Sequence, residues 1–383
     1  MGNITRSKNN NGRRGLAKPL QGSREEIGLN KELKKKLNEL SKLSGYEKPK
    51  KISGSLKLDS NENFVIGKQF QSDLIDAAKK RCDIREYPLG GTEKLGAKLS
   101  KYLKVPSNMV GVGNGSDQIL DLFLANFCTR KTRILTSDPT FAFFEERCKL
   151  YGVKTIKVQF SEGMTLDVDQ FLSKSKNADL IYIDSPNNPT GFQFSKKEIQ
   201  KIIKKFNGPI IIDEAYGEFS DYSVVNLVRN NDNLIVIRTF SKAFGLAGLR
   251  LGYFVANKRF TDIFSRVIQY PYPLNSLAIE VGILALQKSK QVSSIFSLIK
   301  KEREHVIKNL RSYDIFEVFD SKANYVLFDA KGSYTRIYNA LAEQGITIRK
   351  LGKLGKHNGC LRVTIGTKEM NSKFLLAIRD LFK

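Results

Sequence analysis

Two histidines and four cysteines are all the imidazole and thiolate ligands that 383 residues could offer a zinc ion. Cys82, Cys128, Cys148 and Cys360 are scattered and form no C-x-x-C pair, and His305 and His357 stand far apart in the chain. A zinc site needs such residues clustered, so no metal centre is expected and the cysteines read as reduced structural thiols. Long apolar runs are also missing. No uninterrupted stretch of about 18 apolar residues occurs, which argues against a membrane span. The first residues lack the apolar core of a secretory signal. The expectation is a soluble, cytoplasmic protein.

Acidic residues are few beside basic ones. Lys and Arg number 64 against 39 Asp and Glu, a net charge of +25. Such a charge raises the question of nucleic acid. Its distribution argues against that partner. Residues 1–51 hold 14 Lys/Arg and 5 Glu, and the remaining +16 is spread over 332 residues without long basic blocks. Charge alone says little about function, and small phosphorylated substrates would suit a basic protein equally well.

The first 30 residues are rich in Asn, Gly, Arg and Ser, as in "SKNNNGRRG", and cannot bury a core. Residues 1–51 therefore read as a basic arm, largely disordered. Leucines at 33, 37, 40 and 43 in "KELKKKLNELSKLSGY" add a possible short helix within it. From residue 52 the pattern alternates. "MVGVG" (109–113), "TRILTS" (132–137), "KTIKVQF" (154–160), "ADLIYIDSP" (178–186), "GPIIIDEAY" (208–216) and "NLIVIRTFS" (233–241) read as buried strands. Helical stretches at 117–128, 141–151 and 195–206 separate some of them, and further helices are expected at 257–270 and 277–311. "ANYVLFD" (323–329), a helix at 334–344, "TIRK" (347–350), "LRVTIG" (361–366) and a last helix complete the chain. The fold class is α/β. A large domain at 85–275 would carry a mainly parallel mixed sheet flanked by helices. Residues 52–84 and 276–383 would form a smaller α+β domain.

The polar motifs fall at strand ends, where open α/β sheets bind ligands. "GNGSD" puts Ser116 and Asp117 at the start of a helix, a ready anion site or an ordinary cap. "DEAY" puts carboxylates at the end of an apolar strand, where a buried Asp needs a cation or a protonated heterocycle unless it is only a cap. "SPNNPTG" is a turn by composition. In "RTFSKAFGLAGLRLGY" (238–253), Ser241 and Arg250 suit a phosphate. Lys242 could bind phosphate too, or serve as a reactive amine, since an apolar site with nearby cations lowers a lysine pKa. An amine, an anion pocket and an acid together meet the needs of pyridoxal 5'-phosphate.

These segments, with "LDSNEN", "YPLGG", "ANYVLF" and "LRVTIGT", occur in the order found in fold-type I pyridoxal-phosphate aminotransferases. Between about residues 46 and 380 the chain most resembles the histidinol-phosphate aminotransferases among them. The resemblance implies that Lys242 holds the cofactor covalently and that Asp213 faces its ring nitrogen. It places Asn188 and Tyr216 at the ring oxygen and Phe141 on the ring face. Ser241, Arg250 and the backbone N–H groups of Ser116 and Asp117 would hold the phosphate. Tyr87 would reach the site of a neighbouring subunit, implying a homodimer. Arg362 would grip a substrate carboxylate and Arg349 a substrate phosphate, while Tyr46 would close over the substrate. The chain departs from the family at Gly45 and Lys48, around "SNENF", and at Gln118.

The implied reaction is histidinol phosphate plus 2-oxoglutarate to imidazole acetol phosphate plus glutamate. An aromatic amino-acid aminotransferase and a threonine-phosphate decarboxylase share the motifs. A non-catalytic nucleic-acid-binding regulator of the same fold is a further alternative, but residues 1–51 are too short and polar for its DNA-binding domain.

Overall fold

A computed structural model describes residues 30–46 and 53–382. The chain divides into an amino-terminal unit ending at Tyr46 and a body from Glu47 onward. In the first unit a helix spans Lys31–Leu40, its start capped by Asn30, whose side chain accepts from the Leu33 N–H at 2.8 Å. It ends at Leu40, short of the expected leucine-spaced stretch, and Leu33, Leu37 and Leu43 are exposed. The expected disorder of residues 1–29 lies outside the described residues.

Twelve strands order the described body. They are β1 (Leu56–Leu58), β2 (Val110–Asn114), β3 (Arg133–Asp138), β4 (Lys154–Gln159), β5 (Leu180–Asp184), β6 (Ile210–Asp213), β7 (Leu234–Thr239), β8 (Leu251–Val255), β9 (Glu317–Val318), β10 (Tyr325–Asp329), β11 (Ile346–Leu354) and β12 (His357–Thr364). Seven form one sheet in the order β2-β8-β7-β6-β5-β3-β4. Only β8 runs against its neighbours. The strands β5, β6 and β7 are buried along their whole length, which explains why their sequences are continuous rather than alternating apolar runs. Successive residues still point to opposite faces. Ile181, Ile183, Ile210, Ile212 and Val236 pack into one apolar layer, Leu180, Tyr182, Ile211, Ile235 and Ile237 into the other. The second layer contains the helices Gly115–Phe127 and Ala142–Tyr151; the first contains Lys196–Lys205 and Ser276–Gln287.

The smaller sheet has the order β1-β11-β12-β10-β9, parallel between β1 and β11 and antiparallel elsewhere. Its first strand comes from the segment ahead of the large sheet. Three local expectations change. The strand β8 was not expected; "LGYFV" begins at the end of the glycine-rich segment that drew attention for its cations. The helix expected at 257–270 stops at Ile263 and continues as one π-turn, Phe264–Ile268. The stretch expected as 277–311 is two helices, because Lys288 leaves helical geometry at φ −94° and ψ 17°. Among the described residues no helix is long and apolar enough to cross a membrane.

β2, β5, β6 and β7 share one direction, so Asn114, Asp184, Asp213 and Thr239 finish at the same edge of the sheet. This edge gathers the polar motifs.

Candidate active site

Lys242 follows β7 in a loop lined by Phe240, Ala243, Phe244 and Leu246, all buried. Its Nζ donates to the Ser60 carbonyl at 3.0 Å and lies 5.7 Å from the centre of the Tyr216 ring. Burial, then the nearby Arg362 guanidinium, draws the amine down to about 8, against the pull of Glu62 and Asp117. The loop is held by the segment after β1. Asn63 donates to the Ala243 carbonyl at 2.9 Å, and Asn61 donates to the Tyr216 hydroxyl oxygen at 2.9 Å.

The two carboxylates of "DEAY" have different surroundings. Glu214 binds Arg238 at 3.0 Å and also accepts from Ser223 and the Val224 N–H; Arg238 reaches Glu218 at 3.1 Å as well. All three charges are buried, so this is a closed structural network. Asp213 is 3% exposed and pairs with no cation among the described residues. It accepts from Tyr182 at 3.1 Å and from the Ala215 N–H at 2.9 Å. Burial, then Asp184 on the next strand, pushes its carboxyl up to about 7. A protonated ring nitrogen would relieve that cost, so the donor set fits the cofactor suggested by the sequence.

An anion corner lies beside it. Thr239 donates to Ser241 Oγ at 3.0 Å, and Arg250 approaches the same oxygen at 3.4 Å. Arg250 also pairs with Asp117 at 2.7 Å. The helix Gly115–Phe127 starts there with no side-chain cap from Asn114. Its amide groups and dipole favour an anion. Glycine is needed at two points. Gly115 has φ +78°, and a Cβ there would meet the Arg250 guanidinium at 2.6 Å. At Gly252 a Cβ would lie 2.3 Å from the backbone of Gly115 and Ser116, so β8 passes this close to the helix start only without one.

Arg362 on β12 is 7% exposed; one terminal nitrogen donates to the side-chain oxygen of Asn188 and the other to the Asp59 carbonyl at 3.1 Å. With its oxygen taken by Arg362, the donor side of the Asn188 amide is its NH₂ group. Arg349 is the register partner of Arg362 across β11 and β12, which puts both guanidinium groups on one face of the hairpin. Phe141 directly precedes the helix Ala142–Tyr151 and is half-buried. Tyr87 is exposed and stacks on Tyr272 with ring centres 4.6 Å apart. Tyr46 ends the described amino-terminal unit and is exposed.

Several residues of this edge were not singled out from the sequence. Ser60, Asn61 and Asn63 lie in "LDSNEN", which served only as a family motif. Tyr182 and Asp184 belong to "LIYID", where strand chemistry masked them. Asp184 accepts from Thr140 at 3.0 Å and from Asn187 and the Asn188 N–H, both at 2.8 Å, and so holds the "SPNNPTG" turn in place. Polar residues inside otherwise apolar strands were the available signal. In the smaller sheet, His357 lies 3.2 Å from Asp329 and 3.5 Å from Glu317, and contacts the Glu162 carbonyl through its other nitrogen at 2.8 Å. The sequence, which places these three residues far apart, gave no hint of this grouping.

A seven-stranded α/β sheet thus carries at one edge a lysine, a buried aspartate with no cation partner among the described residues, and an anion corner, a set that suits a pyridoxal-phosphate enzyme. The sequence pattern of the aminotransferase class I and II family matches residues 54–378, and the chain belongs to that family. It is 34% identical to a histidinol-phosphate aminotransferase of Thermoanaerobacter pseudethanolicus over 328 residues, 85% of this chain and 92% of the relative. The solved histidinol-phosphate aminotransferase of Clostridium acetobutylicum is similar at a TM-score of 0.77 and 28% identity, covering 85% of this chain and 98% of that one. The Sinorhizobium meliloti enzyme of the same name, solved with pyridoxal-5'-phosphate, shares the fold at a TM-score of 0.77 and 22% identity, covering 85% of this chain and 91% of that one.

Proposed function

We propose that this chain is a pyridoxal 5'-phosphate-dependent transaminase acting on histidinol phosphate and 2-oxoglutarate to give imidazole acetol phosphate and glutamate, a step of histidine biosynthesis. The observation that carries the reading is Asp213, a buried carboxylate with no cation partner among the described residues, at the same sheet edge as Lys242, whose amine is held down to about 8. The names of the relatives supply the substrate.

The bound cofactor would supply a ring that draws electrons from the amino-bearing carbon. Asp213 would keep the ring nitrogen protonated. Ser241, Arg250 and the N–H groups of Ser116 and Asp117 would hold the phosphate. The Asn188 amide and the Tyr216 hydroxyl would donate to the ring oxygen, and Phe141 would cover one ring face. Lys242 would anchor the cofactor and then, once displaced, move the proton as a base near its working pH. Arg362 would bind the carboxylate of glutamate with two parallel hydrogen bonds, and Arg349 the phosphate of histidinol phosphate.

The reading includes a cytoplasmic homodimer with Tyr87 facing the partner's site. Its support is the exposed stacked pair Tyr87–Tyr272, together with exposed Ile84, Leu89, Val267 and Tyr270 nearby in sequence. A fully active monomer in sedimentation would remove that part. The deciding experiment is a transamination assay across substrates. Histidinol phosphate should turn over fastest. Faster turnover of phenylalanine would favour an aromatic aminotransferase, and carbon dioxide release from threonine phosphate a decarboxylase.

A further inference from the structure

Tyr182 and Asp184 are two residues apart on β5, so their side chains leave the same face of the sheet. Asp184 is the register partner of Asp213 on β6, which places Asp213 on that face too, diagonal to Tyr182. The Tyr182 hydroxyl lies 3.1 Å from Asp213 Oδ2. The phenol is the donor of this hydrogen bond and the carboxylate oxygen the acceptor.

The rest of Tyr182 is fixed. It is fully buried, and its ring stacks on Phe144 with centres 3.6 Å apart and planes 13° from parallel. A buried phenol needs a partner, and the hydrogen bond given to Tyr182 is the one to Asp213. Among the described residues no cation forms an ion pair with Asp213, and its acidic neighbours work against it. Asp184 acts on it from β5 and Asp117 from the helix Gly115–Phe127, both disfavouring the ionised form. The acids Asp184 and Asp213 act on Tyr325 of β10, and Cys148 of the helix Ala142–Tyr151 acts on Tyr182, each disfavouring an ionised phenol. The β7 neighbour of Asp213 is Ile237. Tyr182 and the Ala215 N–H are therefore the two donors that favour the ionised carboxylate.

We propose that Tyr182 is a positioning residue of the amino-transfer site, whose hydroxyl favours the ionised form of the Asp213 carboxylate and holds it in one orientation for a protonated ring nitrogen. The inference rests on reading this edge as the pyridoxal-phosphate site.

Tyr182→Phe keeps the ring against Phe144 and removes only the donor. The first measurement uses cofactor-free protein and follows by infrared the protonated-carboxyl band that is lost in Asp213→Asn. Removing a donor to the charged form raises the pKa, so the band should persist to a pH about one unit higher than in the unsubstituted protein, a tenfold shift in the protonation equilibrium. An unchanged midpoint overturns the proposal. In the reconstituted enzyme, kcat near neutral pH should fall by about tenfold with KM little changed, and the acid limb of the kcat profile should move up in pH. A lower kcat with an unmoved acid limb would make the role merely structural and also overturns it. If the protein proves not to transaminate at all, the infrared titration still decides, because it needs neither cofactor nor substrate.

Discussion

The amine of Lys242 donates to the backbone carbonyl of Ser60, 182 positions earlier in the chain, at 3.0 Å. The same short segment sends Asn61 to Tyr216 and Asn63 to the Ala243 carbonyl. One short segment, through one backbone carbonyl and two side-chain amides, thus ties down the lysine, the residue after it and the phenol beside it. The amine is held where water is scarce and the cations Arg362 and Arg250 are near, which is why it falls to about 8.

That depression has a sign in stability. The ordinary lysine value is 10.5 and the folded one about 8, so between them the unfolded chain binds more protons. Stability of the cofactor-free protein should rise with pH across that window, as the cost of the buried ammonium disappears. Lys242→Met should flatten this rise in thermal unfolding scans from about pH 8 to 10. An unaltered slope would mean the amine is ordinary. The same variant, loaded with pyridoxal phosphate, should show no turnover and no borohydride-reducible absorbance; a reducible band would put the anchor on another lysine.

Asp213 behaves oppositely. Its carboxyl is raised from 3.8 to about 7, so over that range the folded protein keeps a proton that the unfolded chain releases. Its contribution to stability falls as pH rises through the window. Asp213→Asn should make the cofactor-free protein more stable at neutral pH than the unsubstituted protein. Its kcat should nevertheless drop by about a hundredfold or more, the usual effect of removing an electrostatic partner of the reacting centre. Near-normal kcat in a steady-state assay would refute the role.

The buried strands could be read from sequence because β5, β6 and β7 are covered on both faces and so consist of Ile, Val and Leu almost throughout. "LGYFV" was missed because its glycine and tyrosine serve packing: Gly252 admits the start of the helix Gly115–Phe127, and Tyr253 is wholly buried. Lys242, Asp213, Ser241 and Arg250 could be singled out because each stands out chemically from its neighbours. Ser60, Asn61 and Tyr182 could not, since their significance lies in hydrogen bonds to residues 182, 155 and 31 positions away. Glu214 looked like a companion to Asp213 until Arg238 was seen to neutralise it, which depends on β6 and β7 being adjacent.

Arg238 holds Glu214 and Glu218 together in a buried cluster. Arg238→Met would leave two buried carboxylates without their cation. Breaking a buried pair in this way costs about 3–5 kcal/mol. Urea denaturation should show a loss of that size at neutral pH, and lowering the pH should recover part of it by protonating the carboxylates. A loss below about 1 kcal/mol would mean that water reaches the cluster.

Substrate choice turns on the register pair Arg349–Arg362. Paired residues send their side chains from the same face of the hairpin, so an anionic substrate group on that face would meet both arginines. Arg362 is already oriented by Asn188 and Asp59, with Nε buried and given no hydrogen-bond partner, so it is preset for a planar carboxylate. Arg349 is the second charge on that face. A phosphorylated amino substrate carries both a phosphate and a polar head, whereas phenylalanine brings one carboxylate and an apolar ring. Arg349→Ala should therefore lower kcat/KM for histidinol phosphate far more than for phenylalanine. The difference should be about tenfold to a hundredfold, as expected for one hydrogen bond to a charged group. Stopped assays with both substrates, run on the same preparation and with its melting temperature recorded, make the comparison. Equal losses for both would assign Arg349 to the structure of the hairpin. A selective loss would make it the residue that recognises the phosphate.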